Sequence, residues 1–355
     1  MIEPPGSGRR PERRSGRLVL FLLACLCLGA LAAAYTLTHG EPTVSLEEAW
    51  WAISGGPSID ETTRFVIRDL RLPRLIVALL AGAALALAGV ILQDSLRNPI
   101  ADPSLLGISE AAVLIVALTL FIPGFAFGIS TPILALTGGL AAGSLIVTLA
   151  RSIRDSVRLI LMGAVLALLL TSVTTAITLF LYPASGSGEV AFLLRFTTGS
   201  VSSTTWQELW SIVPWLIVAI PLGLVAARTL NLLQLGDDVA SGLGMRVTRA
   251  RLVLFLVAML MVAPVTAVTG PIAFVAFLCP HIARFVLRTT DAHAVLPAAA
   301  AVGGLMVLAA DLLGRLVFYP LEIPAGVWTI MVGGPIAVVL AGRVLRASAP
   351  QVSPT

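Results

Sequence analysis

The stretch RLIVALLAGAALALAGVILQD, residues 74–94, decides the fold class. Nineteen uncharged residues lie between Arg74 and Asp94. That is about the length an α-helix needs to cross a bilayer. Apolar residues run through it continuously instead of alternating with polar ones, so a strand of a membrane barrel is excluded. In hydrocarbon a spanning segment must satisfy its own backbone, and an open segment of this kind does so only as a helix.

Outward from this segment the pattern repeats. Residues 18–38 form a first apolar run after five arginines, Arg9, Arg10, Arg13, Arg14 and Arg17. It is longer than the apolar core of a secretory signal, which is about 7–15 residues, so it reads as an uncleaved span. From Ala111 to Ala150 no charge appears, and Pro123-Gly124 and Thr131-Pro132 divide that interval into two spans. Further spans are expected at about 159–188, 209–227, 295–318 and 323–342, and two more on either side of Gly270-Pro271. The expected fold is therefore all-α and polytopic, with about ten transmembrane helices. Residues 1–17 form an arginine-rich cytoplasmic tail, 18–346 a single membrane domain and 347–355 a C-terminal tail.

Composition agrees. Hydrophobic residues make up 57% of the 355 and charged residues 12%, against about 25% charged in soluble domains. Mean hydropathy is +0.98. A soluble enzyme, a nucleic-acid binder and a disordered chain are all excluded. The net charge of +4 comes from arginines between the apolar runs. With ten spans and both termini in the cytoplasm, 17 arginines fall inside and 6 outside, the bias expected of membrane topology. Four of the six outer ones crowd into Arg64–Arg74. A cationic cluster on that side calls for an explanation, and an acidic partner is one.

The sequence has no phosphate-binding GxxxxGK[ST] loop and no HExxH, so the chain neither hydrolyses ATP itself nor carries a zincin site. No metal site is expected. Cys25, Cys27 and Cys279 form no C-x-x-C pair and read as packing residues. His281 reads as a hydrogen-bonded packing residue. Asp311 is four residues from Arg315, one helical turn, and the simpler reading is a structural ion pair. The other reading is a coupling acid of an ion-driven secondary carrier.

Several motifs follow one another in register. Arg71-Leu72-Pro73-Arg74 precedes the 74–94 span, with Gly82, Gly89 and Gln93 inside it. Arg97-Asn98-Pro99-Ile100-Ala101-Asp102-Pro103 and Leu106-Gly107-Ile108-Ser109 come next. Leu235-Gly236-Asp237-Asp238, Ala240 and Leu243-Gly244 lie in the 231–251 loop. Gly270-Pro271-Ile272-Ala273-Phe274-Val275 and Pro280-His281-Ile282-Ala283-Arg284 follow, then Asp311-Leu312-Leu313-Gly314-Arg315, Glu322-Ile323-Pro324 and Gly334-Pro335.

This order resembles the FecCD-type permeases of bacterial ABC importers for iron chelates, haem and cobalamin, over about residues 20–346. The resemblance implies a cobalamin-permease-like protomer in the bacterial cytoplasmic membrane, multi-pass, that pairs with a second permease, identical or paralogous. It implies two cytoplasmic ATPase subunits, which hold the ATP and Mg, and a substrate-binding protein outside. No cofactor is expected on this chain, and no nucleic acid. A ferric siderophore is the leading cargo, with haem and cobalamin behind it. Arg71, Arg74 and Arg315 match positions that grip glutamates of the binding protein, a task the planar guanidinium suits. The other reading of these arginines is anchoring at the membrane interface or pairing with Asp69, Asp311 or Glu322. The 231–251 loop matches the coupling segment, with Leu235, Gly236, Asp237, Asp238, Ala240, Leu243 and Gly244 at the ATPase. Gln93, Asn98 and Pro99, and Thr197, Thr198, Gly199 and Ser200 beside a small gate helix at 190–198, are pathway or gate candidates.

The sequence departs from the family at Glu110, Ala273, Ala276 and Ile336-Ala337. These positions leave the cargo more open than the docking or coupling elements.

Overall fold

The computed structural model describes residues 11–56, 59–104, 107–122, 124, 129–152, 156–181, 196–319 and 321–348. Its regular structure is helical throughout the described residues. Ten apolar helices dominate: α1 (Pro11–Thr38), α4 (Leu72–Leu96), α5 (Ile108–Phe121), α6 (Thr131–Ser152), α7 (Ser156–Leu181), α8 (Trp206–Val225), α11 (Val247–Thr269), α12 (Val275–Leu287), α13 (Ala292–Leu316) and α14 (Ala325–Ser348). Each apolar segment expected from sequence holds one of them. Six are long and apolar enough to cross a membrane, and α5, α6, α12 and α14 contain shorter apolar stretches.

Four smaller helices stand between these. α2 (Leu46–Ser54) and α3 (Glu61–Phe65) lie in the polar segment after α1, and α3 runs through a π-helical stretch, Val66–Arg71, directly into α4. α9 (Ala227–Gln234) and α10 (Asp237–Gly242) occupy the 231–251 loop region. Hydropathy did not reveal the first two. α2 is amphipathic and closed by local chemistry: Ser45 and Glu48 form a reciprocal capping box, and Gly55 ends it in a left-handed conformation. α1 begins at Pro11, so the helix extends through the last residues of the expected 1–17 tail. The expected gate segment at 190–195, the end of the fifth span, Leu106, Arg154 and Arg195 lie outside the described residues.

α4 is the axis of the molecule. It packs against α13, α11, α12 and α8. Most of its side chains are buried, from Leu75 to Ser95. Small residues make this possible. A Cβ on Gly82 would stand 2.1 Å from the Gly303 carbonyl oxygen of α13, and one on Gly89 would stand 1.8 Å from that of Ala276 on α12. The backbones therefore touch where the side chain is missing, the usual device for close helix packing in lipid. Gly82 and Ala86, one turn apart, thus make a contact within the protomer: a Cβ on Gly303 would stand 2.2 Å from the Gly82 carbonyl oxygen and 2.6 Å from Ala86 Cβ.

α1 and α7 are the opposite case. Only 6% and 11% of their apolar windows are buried. Leu20, Leu26 and Leu31 on α1, and Leu168, Leu179 and Phe180 on α7, are strongly exposed. Exposed rows of this kind belong against lipid or another membrane helix. Cys25 and Cys279 are buried and Cys27 is exposed, all three as free thiols.

Candidate functional sites at the two ends of the central helix

A helix of α4's 25 residues is about 37 Å long, enough to reach from one face of a bilayer to the other. Each of its ends carries a cluster of ionic groups.

At the first end, the chain enters α4 through the π-helical stretch and Pro73, which suits the first helical turn. Arg74 follows. Its Nη2 and Nε lie 2.8 and 3.0 Å from Asp311 Oδ1. The same guanidinium reaches Glu322, with Nη2 3.1 Å from Oε2. Arg315 completes the cluster, its Nε 3.5 Å from Asp311 Oδ2. The expected Asp311–Arg315 pair is therefore present, but Arg74 is the nearer and better-aligned partner. Arg315 keeps Nε and Nη2 buried with no hydrogen bond among the described residues. Glu322 is the exposed member, its side chain 40% accessible against 4% for Asp311.

Arg71 is placed differently. It is buried, and its two terminal nitrogens donate to the carbonyls of Leu37 and Pro42, both at 2.7 Å. It staples the end of α1 and the following loop to the start of α4. The structure thus brings Arg74 and Arg315 together around Asp311 and sets Arg71 on backbone. Of the acids weighed from sequence, Asp311 and Glu322 take Arg74. Asp69 instead lines a surface cavity of about 580 Å³ with Glu61, Arg64, Phe65, Arg68 and Trp206.

At the other end, α4 stops at Arg97, which adopts a left-handed conformation and returns its N–H to Asp94 and Gln93 carbonyls. Asn98 is buried, and its side-chain oxygen accepts from the Ile100 N–H at 3.0 Å, the rigid turn expected of Asn-Pro. Gln93 is buried in the α4–α12 seam. Its amide donates to the Phe277 carbonyl at 3.1 Å and accepts from Arg284 Nη1 at 2.6 Å. Asp94 receives Arg284 Nη2 at 2.8 Å and Gln234 Nε2 at 3.0 Å. His281 lies one turn before Arg284, its Nδ1 2.8 Å from the Phe277 carbonyl.

Next to this seam sits α10. Asp237, its first residue, is gripped by Arg97 Nη2 at 2.8 Å and by Arg251 Nη2 and Nη1 at 2.8 and 2.9 Å. Gly236 and Gly244 bracket the helix at positive φ. Ala240 is buried, whereas Leu235, Val239 and Leu243, spaced four residues apart, are exposed. The four-residue step from Val239 to Leu243, its C-cap, puts those two on one side of α10, while Leu235 precedes the helix, beyond Gly236. Nearby, Asp291 caps α13 through the His293 N–H at 3.1 Å and holds the Asn231 amide at 2.7 Å. Partial burial raises the Asp291 carboxyl, but the Asn231 and His293 hydrogen bonds outweigh it and hold the group below the usual carboxylate range.

The segment Thr197–Ser200 lies between helix ends. Gly199 has φ +75, and a Cβ there would stand 2.3 Å from the Pro271 carbonyl oxygen. Ser200 N–H donates to the Thr269 carbonyl at 2.7 Å, and Gly326 N–H to that of Gly199 at 2.8 Å. The backbone of this segment is therefore fastened to the end of α11 and the start of α14.

Sequence reasoning missed Arg251, Arg284, Asp94 and Gln234 as members of these clusters. Gln234 and Arg284 meet Asp94 across 140 and 190 positions, and Arg251 meets Asp237 at 14, a separation across two helices, so no local spacing marks them.

A central, close-packed helix with an ionic cluster at each end, among apolar helices long enough to cross a bilayer, defines a polytopic helical membrane protein. Comparison with known proteins gives the family. The chain matches the FecCD transport family over residues 22–343, and it belongs to that family. It is 36% identical over 332 residues to the Fe(3+) dicitrate transport system permease protein FecC of Escherichia coli, covering 92% of this chain and 94% of that one. It is 37% identical over 330 residues to the Fe(3+)-citrate import system permease protein YfmE of Bacillus subtilis, covering 92% and 96%. Its fold is similar to a solved inward-facing metal-chelate type ABC transporter, with a TM-score of 0.76, 26% identity and coverage of 91% and 98%. The chain is a multi-pass permease subunit of the cytoplasmic membrane and not itself an enzyme. Such a subunit works with an ATPase and a substrate-binding partner.

Proposed function

We propose that this chain forms the translocation pathway of an importer for an iron(III) chelate, with ATP hydrolysed by a partner subunit. Ten helices cross the membrane, with both termini in the cytoplasm. The Arg97 end of α4, with the 231–251 loop, faces the cytoplasm and takes the ATPase. The Arg74 end faces outward and takes the substrate-binding protein. A second permease, identical or paralogous, completes the pathway, and two ATPase subunits serve the pair.

One observation supports this reading most. α10 exposes Val239, with Leu243 at its end and Leu235 just before Gly236, at an end of the molecule rich in charge. An apolar face held there by ionic bonds is a seat for another protein. At the outward end, Glu322 and Arg315 are the groups on which a charged partner would act. Arg71 is committed to two carbonyls, so it would set the shape of that face instead of gripping a carboxylate. Asp311 is occupied by two guanidiniums, which favours a structural acid over the coupling acid of an ion-driven carrier.

Cells with and without the gene, grown under iron limitation, should differ in uptake of one labelled cargo among ferric siderophores, ferric citrate, haem and cobalamin. Loss confined to iron(III) chelates is expected, and vanadate should abolish the same uptake in cells that carry the gene. Uptake that depends on the gene but survives vanadate would overturn the ATP-driven reading. Photo-crosslinkers at Leu243 and Glu322 should capture an ATPase subunit and a binding protein respectively.

A further inference from the structure

We infer that Arg97 and Arg251 are positioning residues that fix α10 rigidly to the membrane helices, so that movement of α10 reaches α4 and α11. This rests on the reading of α10 as the seat of the ATPase.

By itself α10 is a slight element. It has six residues, of which Ala240 is buried. A glycine at positive φ stands at each side, and a Cβ on Gly244 would meet nothing within 4 Å. A helix hung between two such joints would swing when pushed, and the push would be lost. What prevents this is Asp237. Arg251 reaches it with both terminal nitrogens, 2.9 Å from Oδ2 and 2.8 Å from Oδ1, the two-toothed geometry that a lysine cannot make. The Nε of the same guanidinium donates to the Ser95 carbonyl at 2.8 Å. One side chain of α11 thus joins the last turn of α4 to the first residue of α10. Arg97 closes on Asp237 from the α4 side at 2.8 Å. It does so from a left-handed backbone conformation that side chains disfavour, which orients it past the end of α4.

The clamp is exposed. Side-chain accessibilities are 44% for Arg97, 39% for Asp237 and 28% for Arg251. Ion pairs this wet contribute little to stability. Their loss should therefore appear in the coupling of two activities and not in the amount of folded protein.

The test uses the whole importer, with permease, ATPase and binding protein in liposomes, and whichever of ferric citrate, ferric hydroxamate, haem or cobalamin the uptake panel shows to be carried. Cargo transport and ATP hydrolysis are measured together. The pair Arg97→Gln and Arg251→Gln should lower cargo moved per ATP by about tenfold or more and leave hydrolysis within about twofold of wild type. Asp237→Asn should lower cargo moved per ATP to the same extent. Because all three act through one interaction, combining them should cost at most about twofold beyond Asp237→Asn alone. Losses that multiply, an unchanged ratio, or transport and hydrolysis falling together would overturn the clamp. If the neutral variants fail to assemble, Arg251→Lys decides: it keeps the charge and loses the fork, so an intermediate ratio supports the clamp and a wild-type ratio overturns it. The crosslink from Leu243 separates the two ideas. No capture of an ATPase subunit by the wild type defeats the reading of α10, while capture with normal coupling in the variants defeats the clamp alone.

Discussion

The two ends of α4 hold charge in opposite ways. At the Arg74 end the central acid, Asp311, is buried between two arginines. At the Arg97 end the central acid, Asp237, is also held by two arginines, but all three groups are in reach of water. The same trio of charges therefore does different work. A buried pair that loses a partner leaves a desolvated charge behind, and that is costly. An exposed pair that loses a partner is rehydrated. The first end is built as a permanent knot between α4 and α13, and the second as a joint that transmits movement.

The largest effect that would break this contrast is at Asp311. Asp311→Ala leaves Arg74 and Arg315 facing each other, and should cost about 3–5 kcal/mol, seen as a large fall in thermal midpoint or in folded yield from detergent. A variant of wild-type stability would show that the knot is not one.

Next is the seam that keeps the two ends on one rigid rod. Gly89→Val drives a side chain into the Ala276 carbonyl. Overpacking of this kind should cost about 1–3 kcal/mol, and a second-site change that shrinks α12 should recover part of it. Equal stability of Gly89→Val and wild type would show that α4 and α12 separate easily.

Asp291→Ala removes the N-cap of α13 and the anchor of Asn231, and should cost about 1 kcal/mol by thermal unfolding. The sign with pH follows from its lowered titration. The contribution is complete above the ordinary carboxylate range and is lost as pH falls through the group's own lower value. Asp291→Asn should flatten that acid limb and lower stability at neutral pH by the amount the wild type loses on acidification; an acid limb as steep as that of the wild type would count against the assignment.

The smallest stability effect is expected at Asp237. Asp237→Asn should shift stability by no more than about 1 kcal/mol. A cost as large as that of Asp311→Ala would erase the difference between the two ends.

Much of the fold was legible because length and hydropathy are local. The 74–94 run, the break at Gly270-Pro271 and the paired spans of 111–150 all became helices where they were expected. α2 and the π-helical entry to α4 were not legible, because both elements are short and mix charged with apolar residues. At the sites, the pairing of Arg74 with Glu322 had been one of two readings, and Arg71 turned out to hold backbone. Gln93 was expected near a pathway and lies sealed between α4 and α12.

By itself the sequence determined that the chain is a polytopic helical membrane protein with its arginines gathered at span ends, since a bilayer accepts continuous apolar runs of this length only as helices and rejects charge within them. The tertiary structure alone decided which charge meets which. Asp311 finds Arg74 across 237 positions, and Asp94 finds Arg284 across 190. Helices pack where glycines let backbones touch, and that packing, invisible to any local window, brings the ends of distant helices within hydrogen-bond reach.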